Sequence, residues 1–324
     1  MRTIVEAGAR LHLGFLDLNG ACGRRFGSIG VALERPRCTV SASAAPAGAA
    51  APTEEVRAIL QRLGPDLGYG TVAVRVEEAI PLHAGFGAGT QLALAVAVAT
   101  SRAAGRTVPL RELARRLGRG QRSGIGVAAF ERGGLVIDAG HPAREDGDAG
   151  GGTVDEPEPP PVIFQHPLPE DWRFVLATPR AGPGLSGAVE GRAFGDLPPM
   201  DAERVGRICR LTLMQVAPAT LTGDIRAFGA AITEIQAAVG EYFAPVQGGP
   251  FATEAGCAVA ELALARGAHG VGQSSWGPTM FALVRGDAAA SALADSVRDA
   301  LGDRLARVDV SPARNRGASC REVP

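Results

Sequence analysis

The chain of 324 residues contains no lysine; all 33 of its basic residues are arginines. That absence excludes a Walker A phosphate loop, a lysine Schiff base and any phosphotransferase that depends on a catalytic lysine. Cysteine is sparse and scattered, at Cys22, Cys38, Cys209, Cys257 and Cys320. No two form a CxxC pair and the number is odd. Reduced thiols in a cytoplasm are expected, rather than a zinc site or a disulfide framework. Aromatic residues make up 5% of the chain, too few for a base-stacking platform. The net charge of −1 gives no electrostatic case for nucleic acid or an anionic membrane. No apolar run is long enough to span a bilayer. The opening MRTIVEAGARLHLG lacks the apolar stretch of a signal peptide, so a cytoplasmic protein is expected.

What is present is a globular composition, 46% hydrophobic and 21% charged, long enough for two moderate domains. The densest stretch is PLHAGFGAGTQLALAVAVATSRAAG, from Pro81 to Gly105. Gly85, Gly87 and Gly89 alternate, and then a run without Gly or Pro continues to Ala104. This pattern predicts a tight loop feeding a buried helix, with Thr90 as N-cap and Gly105 just past the C-terminus. The first N–H groups of such a helix lack internal partners and favour a phosphate. A glycine turn before an ordinary core helix fits the same letters.

Two further segments carry polar residues among glycines. Between expected strands at 2–7 and 37–43, residues 9–36 hold Arg10, His12, Asp17, Arg24, Arg25 and Ser28. They read as an anion- or sugar-binding loop system, or as a β-hairpin with a polar turn. In an extended stretch Arg10 and His12 share a face. Residues 118–141 place Ser123-Gly124 before a short apolar helix, a second candidate anion site. Asp138 and His141 follow at the end of the strand LVIDAG. Helices are expected at 54–63, 109–118 and 287–301, and strands at 71–80, 171–179 and 304–310. Arg115, Arg116 and Arg119 read as a solvated helix face. After the strand at 171–179, Arg180, Ser186 and Gly187 could meet a ligand. A glycine-rich turn at 272–278, GQSSWGP, contains Gln273, Ser274 and Ser275. The order helix, loop, strand, helix, strand over 250–310 suits an α+β sandwich with helices on one face of an antiparallel sheet.

Three of these segments resemble, in the same order, the conserved motifs of the GHMP kinases. They are the loop from Pro81 to Gln91, SGIGVAAFERGG at 123–134 and GQSSWGP. The resemblance implies an α+β, two-domain GHMP kinase-like fold. Residues 1–185 would form a phosphate-binding domain like domain 2 of ribosomal protein S5, and 186–324 a ferredoxin-like domain. Gly126 stands where those kinases carry an aspartate, and Ala88 and Gly89 stand where their loop carries serines. Kinase chemistry is therefore not expected. ARLHLGFLDLNG, FGSIGVALE, GAGTQLALA and IDAGH extend the resemblance to the β-ribofuranosylaminobenzene 5′-phosphate synthases of tetrahydromethanopterin biosynthesis. It implies condensation of 4-aminobenzoate with phosphoribosyl pyrophosphate (PRPP), releasing CO2 and pyrophosphate. Negative charge on the departing pyrophosphate calls for N–H donors, arginine and Mg2+. Arg10, His12 and Asp17 are the catalytic candidates, Asp17 also the candidate metal ligand or turn cap. Arg24, Arg25, Ser28, Gly85, Gly87, Ala88, Gly89, Thr90, Gln91, Ser123, Gly124, Asp138, His141, Ser186, Gln273, Ser274 and Ser275 are the binding candidates. A homodimer is the expected assembly. A divergent ATP-dependent GHMP kinase and a non-catalytic nucleotide-binding regulator are the alternatives.

Overall fold

The computed structural model describes residues 1–45, 51–67, 70–143, 158–181 and 197–324. The chain opens with β1 (Arg2–Asp17) and β2 (Arg24–Ala44), a long antiparallel hairpin. Then come α1 (Glu54–Leu63), β3 (Val72–Glu78), α2 (Ala88–Ala103), α3 (Leu110–Arg116), α4 (Ile125–Arg132), β4 (Leu135–Asp138), β5 (His141–Pro142) and β6 (Val162–His166). The remainder comprises β7 (Trp172–Pro179), α5 (Ala202–Leu211), α6 (Ala217–Thr222), α7 (Ile225–Gln247), α8 (Glu254–Ala265), β8 (Gly270–Gln273), β9 (Met280–Arg285), α9 (Asp287–Leu301), β10 (Leu305–Pro312) and β11 (Ser319–Val323). A π-helical turn, Thr212–Val216, joins α5 to α6.

The described strands make two sheets. One runs β11-β1-β2-β4-β6, with β3 and β5 also paired to β2; the other runs β10-β7-β9-β8. Residues 9–36 are thus mostly strand, the hairpin alternative of the sequence reading, and the loop is only the short turn between β1 and β2. Register shifts between Gly8 and Arg10 and between His12 and Gly14 bend β1 where the site lies.

The helix α2 lies against β1 and β2. Leu92 to Ala97 are all buried, so the helix is apolar nearly all round and is enclosed rather than laid on a surface. Gly87, at φ 69°, precedes it, and Gly105, at φ 72°, follows its end as expected. The helix starts at Ala88 with Gly87 as its cap residue, so Thr90 lies inside the first turn instead of capping it.

The second sheet is covered on both faces, not one. Phe174 and Leu176 of β7 enter the large core, whereas Val175 and Ala177 enter a second core with Val259 of α8 and Leu293 of α9. Phe281 and Leu283 alternate with Met280, Ala282 and Val284 in the same way. The period of two therefore points both sides of these strands at apolar layers. The expected domain break at 185/186 lies among 182–196, outside the described residues. By sheet membership, β7 already belongs to the second sheet and β11 returns to the first.

That return is fastened by Arg314, whose side chain is 1% exposed. Its Nη1 donates to Glu6 Oε1 and to Glu34 Oε2, each at 3.1 Å. Arg314→Ala leaves two half-buried carboxylates without their shared cation. Urea unfolding should show a loss of about 3 kcal/mol. Arg37→Ala, which removes a more exposed partner of Glu6, should cost under about 1 kcal/mol.

Candidate active site

Three segments far apart in sequence meet at one hydroxyl. Ser274 is fully buried; its Oγ donates to Gly85 O at 2.7 Å and accepts from His12 N at 3.0 Å. Ser275 N, in a residue at φ 56°, donates to His12 O at 3.2 Å. Arg10 adds two bonds to the same loop, N to Phe86 O at 3.0 Å and Nη1 to Gly85 O at 2.7 Å. The glycine loop, the first strand and the late glycine turn are thus one assembly.

The three alternating glycines do different things. A methyl on Gly85 would lie 2.4 Å from Ser274 O, so this glycine exists to let two backbones touch. A methyl on Gly87 would lie 2.8 Å from Arg10 Nε, and its left-handed backbone disfavours any side chain. Gly89 alone faces open space, its nearest neighbour being Arg119 Nη1, 3.7 Å from where a methyl would sit. No side chain caps α2; Thr90 N and Gln91 N donate to Gly87 O, and the N–H groups of Ala88 and Gly89 have no carbonyl one turn earlier in the helix. The N-terminus of α2 is therefore flanked by Arg10 on one side and Arg119 on the other. Helical spacing assigns Arg119 to a solvated face. It lies beyond the end of α3, its Nε is buried without a hydrogen-bond partner, and burial together with Arg62 lowers its pKa. Its position depends on the loop after α3, which residue spacing does not encode.

The second expected anion site is already filled. Asp138 Oδ2 accepts from Gly124 N at 2.9 Å and Oδ1 from Gly140 N at 2.9 Å. Its carboxyl takes the place of an anion at the start of α4. Ser123 Oγ accepts locally from Ile125 N at 3.3 Å. Ser28 lies across from Asp138 in the β2–β4 ladder. Gln91 is a strut between helices, with Nε2 donating to Gly126 O at 2.8 Å. A methyl on Gly126 would sit 3.0 Å from Thr90 Cγ2, so Thr90 crowds the position where the kinases begin a carboxylate. Ser123, Gly124, Asp138 and the Gln91 amide nitrogen are thus engaged within the fold.

At the other end of the hairpin, Asp17 Oδ1 accepts from Asn19 N at 2.7 Å and Gly20 N at 2.8 Å, the turn-cap geometry. Arg24 donates to the carbonyls of Ala139 and Gly140. Arg25 lies over the Phe26 ring at 5.4 Å. His141 Nε2 is 2.8 Å from Gly120 O and ties β5 to the loop after α3. Gln273 Oε1 accepts from Ala252 N at 2.7 Å. Ser186 lies outside the described residues. Among the described residues no group of three or more His, Cys, Asp or Glu is placed to hold a metal ion.

Burial raises the Asp138 carboxyl to about 6, despite the N–H groups of Gly140 and Gly124 that favour its charge. The folded protein thus holds this proton more tightly than the unfolded chain, and the group's contribution to stability falls as pH rises from the ordinary carboxylate range to 6. Asp138→Asn cannot titrate. The stability of the wild type relative to Asp138→Asn should therefore grow as pH is lowered from 7 to 4, measured by urea unfolding at each pH.

The GHMP kinases N terminal domain model matches residues 54–134, and the GHMP kinases C terminal model matches 216–303. The fold is similar to that of a mevalonate kinase (TM-score 0.66, 11% identity, 97% of this chain and 99% of that one). It is also similar to homoserine kinase from Cytophaga hutchinsonii (TM-score 0.65, 16% identity, 99% and 97%). In sequence the chain is similar to two archaeal proteins named β-ribofuranosylphenol 5′-phosphate synthase. The one from Methanothermobacter thermautotrophicus is 34% identical over 97% of both chains. The one from Archaeoglobus fulgidus is 33% identical over 95% of this chain and 96% of that one. The chain belongs to the β-ribofuranosylphenol 5′-phosphate synthase family, on the α+β fold of the GHMP kinases.

Proposed function

We propose that this chain is a decarboxylating pentosyltransferase that condenses 4-aminobenzoate with PRPP to β-ribofuranosylaminobenzene 5′-phosphate, CO2 and pyrophosphate, as a step of tetrahydromethanopterin biosynthesis. The observation that carries the reading is the N-terminus of α2, uncapped and flanked by Arg10 and Arg119, with Gly126 and the Thr90 methyl where the superfamily's kinases hold a carboxylate. Such a place suits a departing diphosphate and lacks the groups for attack on phosphorus. The relatives are named for a phenol product; 4-hydroxybenzoate differs from 4-aminobenzoate only in its para group.

In this reading the C1–oxygen bond of PRPP breaks and its electron pair leaves with pyrophosphate. The N–H groups at the start of α2 and the two guanidiniums stabilise the growing negative charge. Arginine's planar fork suits diphosphate oxygens and stays charged at working pH. The ring carbon bearing the carboxylate attacks C1, and loss of CO2 restores the aromatic ring. Asp17, through the oxygen not used as a turn cap, stabilises positive charge on the ribose. Among the described residues no cluster of three or more metal-ligating side chains includes Asp17. Magnesium would arrive on the oxygens of PRPP itself. A homodimer in the cytoplasm completes the proposal; no helix of the described residues is long and apolar enough to cross a membrane.

The test is incubation with PRPP, Mg2+ and either 4-aminobenzoate or 4-hydroxybenzoate, with ATP and a sugar or isoprenoid alcohol as a separate arm. Release of CO2 and pyrophosphate with 4-aminobenzoate supports the proposal. Turnover of ATP alone favours the kinase alternative, and binding without turnover favours a regulator. Asp17→Asn keeps the oxygen that caps the turn, so its thermal stability should equal that of the wild type. Its kcat should fall about 10²–10³-fold, the usual effect of removing one electrostatic contact to a developing charge. Unchanged kcat would confine Asp17 to the turn.

A further inference from the structure

The cradle at α2 accounts for the diphosphate but leaves a neighbouring cleft unexplained. This cleft lies between β1 and α7 and is lined by His12, Phe15, Gln236, Phe243, Gln273 and Trp276. Its rings form a continuous chain, His12 to Phe15 at 4.5 Å, Phe15 to Phe243 at 6.5 Å and Phe243 to Trp276 at 4.5 Å. The chain as a whole is poor in aromatics, so their concentration here is a local choice. Gln236 braces the walls, with Nε2 donating to Leu13 O at 2.6 Å and Oε1 accepting from Gln273 N at 2.7 Å.

His12 is only 4% exposed, and its Nε2 has no hydrogen-bond partner among the described residues. A buried polar atom left unpaired is costly, so this one is placed for a partner that the fold itself does not supply. The His12 N–H donates to Ser274 Oγ and its C=O accepts from Ser275 N, so the residue is fixed in the strand that lines the cleft. Burial, with the charge of Arg10 nearby, depresses its pKa to about 3, so the imidazole is neutral at working pH. Arg10 and His12 pair in unbroken register with Ala32 and Gly30 and so share one face of β1. Two residues along a strand span about 6.8 Å, comparable to a para-substituted benzoate from carboxylate to para atom.

We propose that this cleft is the acceptor subsite for a planar, para-substituted aromatic acid, and that His12 Nε2 accepts a hydrogen bond from its para N–H or O–H group. The inference rests on the ribosyl-transfer reading and specifies its second substrate's pose. The carboxylate-bearing carbon faces Arg10 and the cradle, and the para group reaches His12. As the ring's π pair forms the new bond to ribose C1, the C1–oxygen pair leaves with pyrophosphate. Positive charge then spreads through the ring onto the para nitrogen, and its N–H becomes a stronger donor. His12 Nε2, with the ring proton on Nδ1, accepts that hydrogen bond without taking the proton. The C–CO2 pair next returns to the ring, CO2 departs and the nitrogen loses its charge. A cationic histidine would oppose this charge; the burial that keeps His12 neutral therefore serves the reaction.

The test compares wild type, His12→Phe and His12→Gln, each checked for folding by circular dichroism, with 4-aminobenzoate and with 4-(dimethylamino)benzoate. The second acceptor has no N–H. His12→Phe should lower kcat about 10- to 100-fold with 4-aminobenzoate, the worth of a hydrogen bond to a charged group. With the dimethylamino acceptor the loss should shrink to within about threefold, and His12→Gln, which keeps an acceptor oxygen, should recover part of the activity on 4-aminobenzoate. Equal losses on both acceptors would make His12 a packing residue and overturn the proposal. Calorimetric binding of each acid in the absence of PRPP separates this claim from the reaction. A wild type that turns over neither acid but binds 4-aminobenzoate in a His12-dependent way would sink the ribosyl transfer and keep the subsite. Affinity indifferent to His12 and to the N–H, with no turnover, would sink both.

Discussion

The site depends on the Ser274 hydroxyl. It is buried, donates to the glycine loop at Gly85 and accepts from the first strand at His12. A hydroxyl can do both at once, whereas a thiol, methyl or carboxylate could not do so in that space. Through it the second sheet's glycine turn sets the distance between Arg10, the start of α2 and the aromatic cleft. The glycines around it follow from the same constraint: a side chain on Gly85 would push this turn away. Two half-sites on different segments thereby become one rigid unit, a condition for stabilising charge without reorganising at the moment of reaction.

The chemistry assigned to that unit follows from what the helix ends are given. The start of α4 is neutralised internally by the Asp138 carboxylate, while the start of α2 is left bare between two guanidiniums. The bare start of α2 is the place proposed here for an anion. With no lysine in the chain and Gly126 beneath the Thr90 methyl, that place suits the proposed diphosphate better than attack on phosphorus. A scaffold shared with mevalonate and homoserine kinases can thus serve a different reaction, because fold and chemistry are separable.

Much of the architecture is legible in the sequence, where local signals are strong. The helix at 54–63 and that at 287–301 have the expected bounds, and Gly105 ends α2 as its left-handed backbone requires. The hairpin is less legible. Gly14 and Gly27 suggest turns, but Gly14 marks a register shift inside a long strand, and a bulge has no distinct letter pattern. Asp138 and Gln91 read as ligand groups because polar residues near glycine loops do so. Only the fold reveals that each already satisfies a neighbouring backbone group. Arg119 shows the converse: helical spacing sends it to solvent, and the loop after α3 turns it toward Gly89.

The central claim is that the start of α2, with Arg10 and Arg119, holds the diphosphate of PRPP. Calorimetric titration of PRPP into wild type and Arg119→Met, which keeps the apolar stem and removes the charge, tests it most directly. The account predicts an affinity lower by about 10-fold or more for Arg119→Met, the worth of one charge-assisted hydrogen bond, at unchanged thermal stability. Equal affinity for PRPP in the two proteins would contradict it.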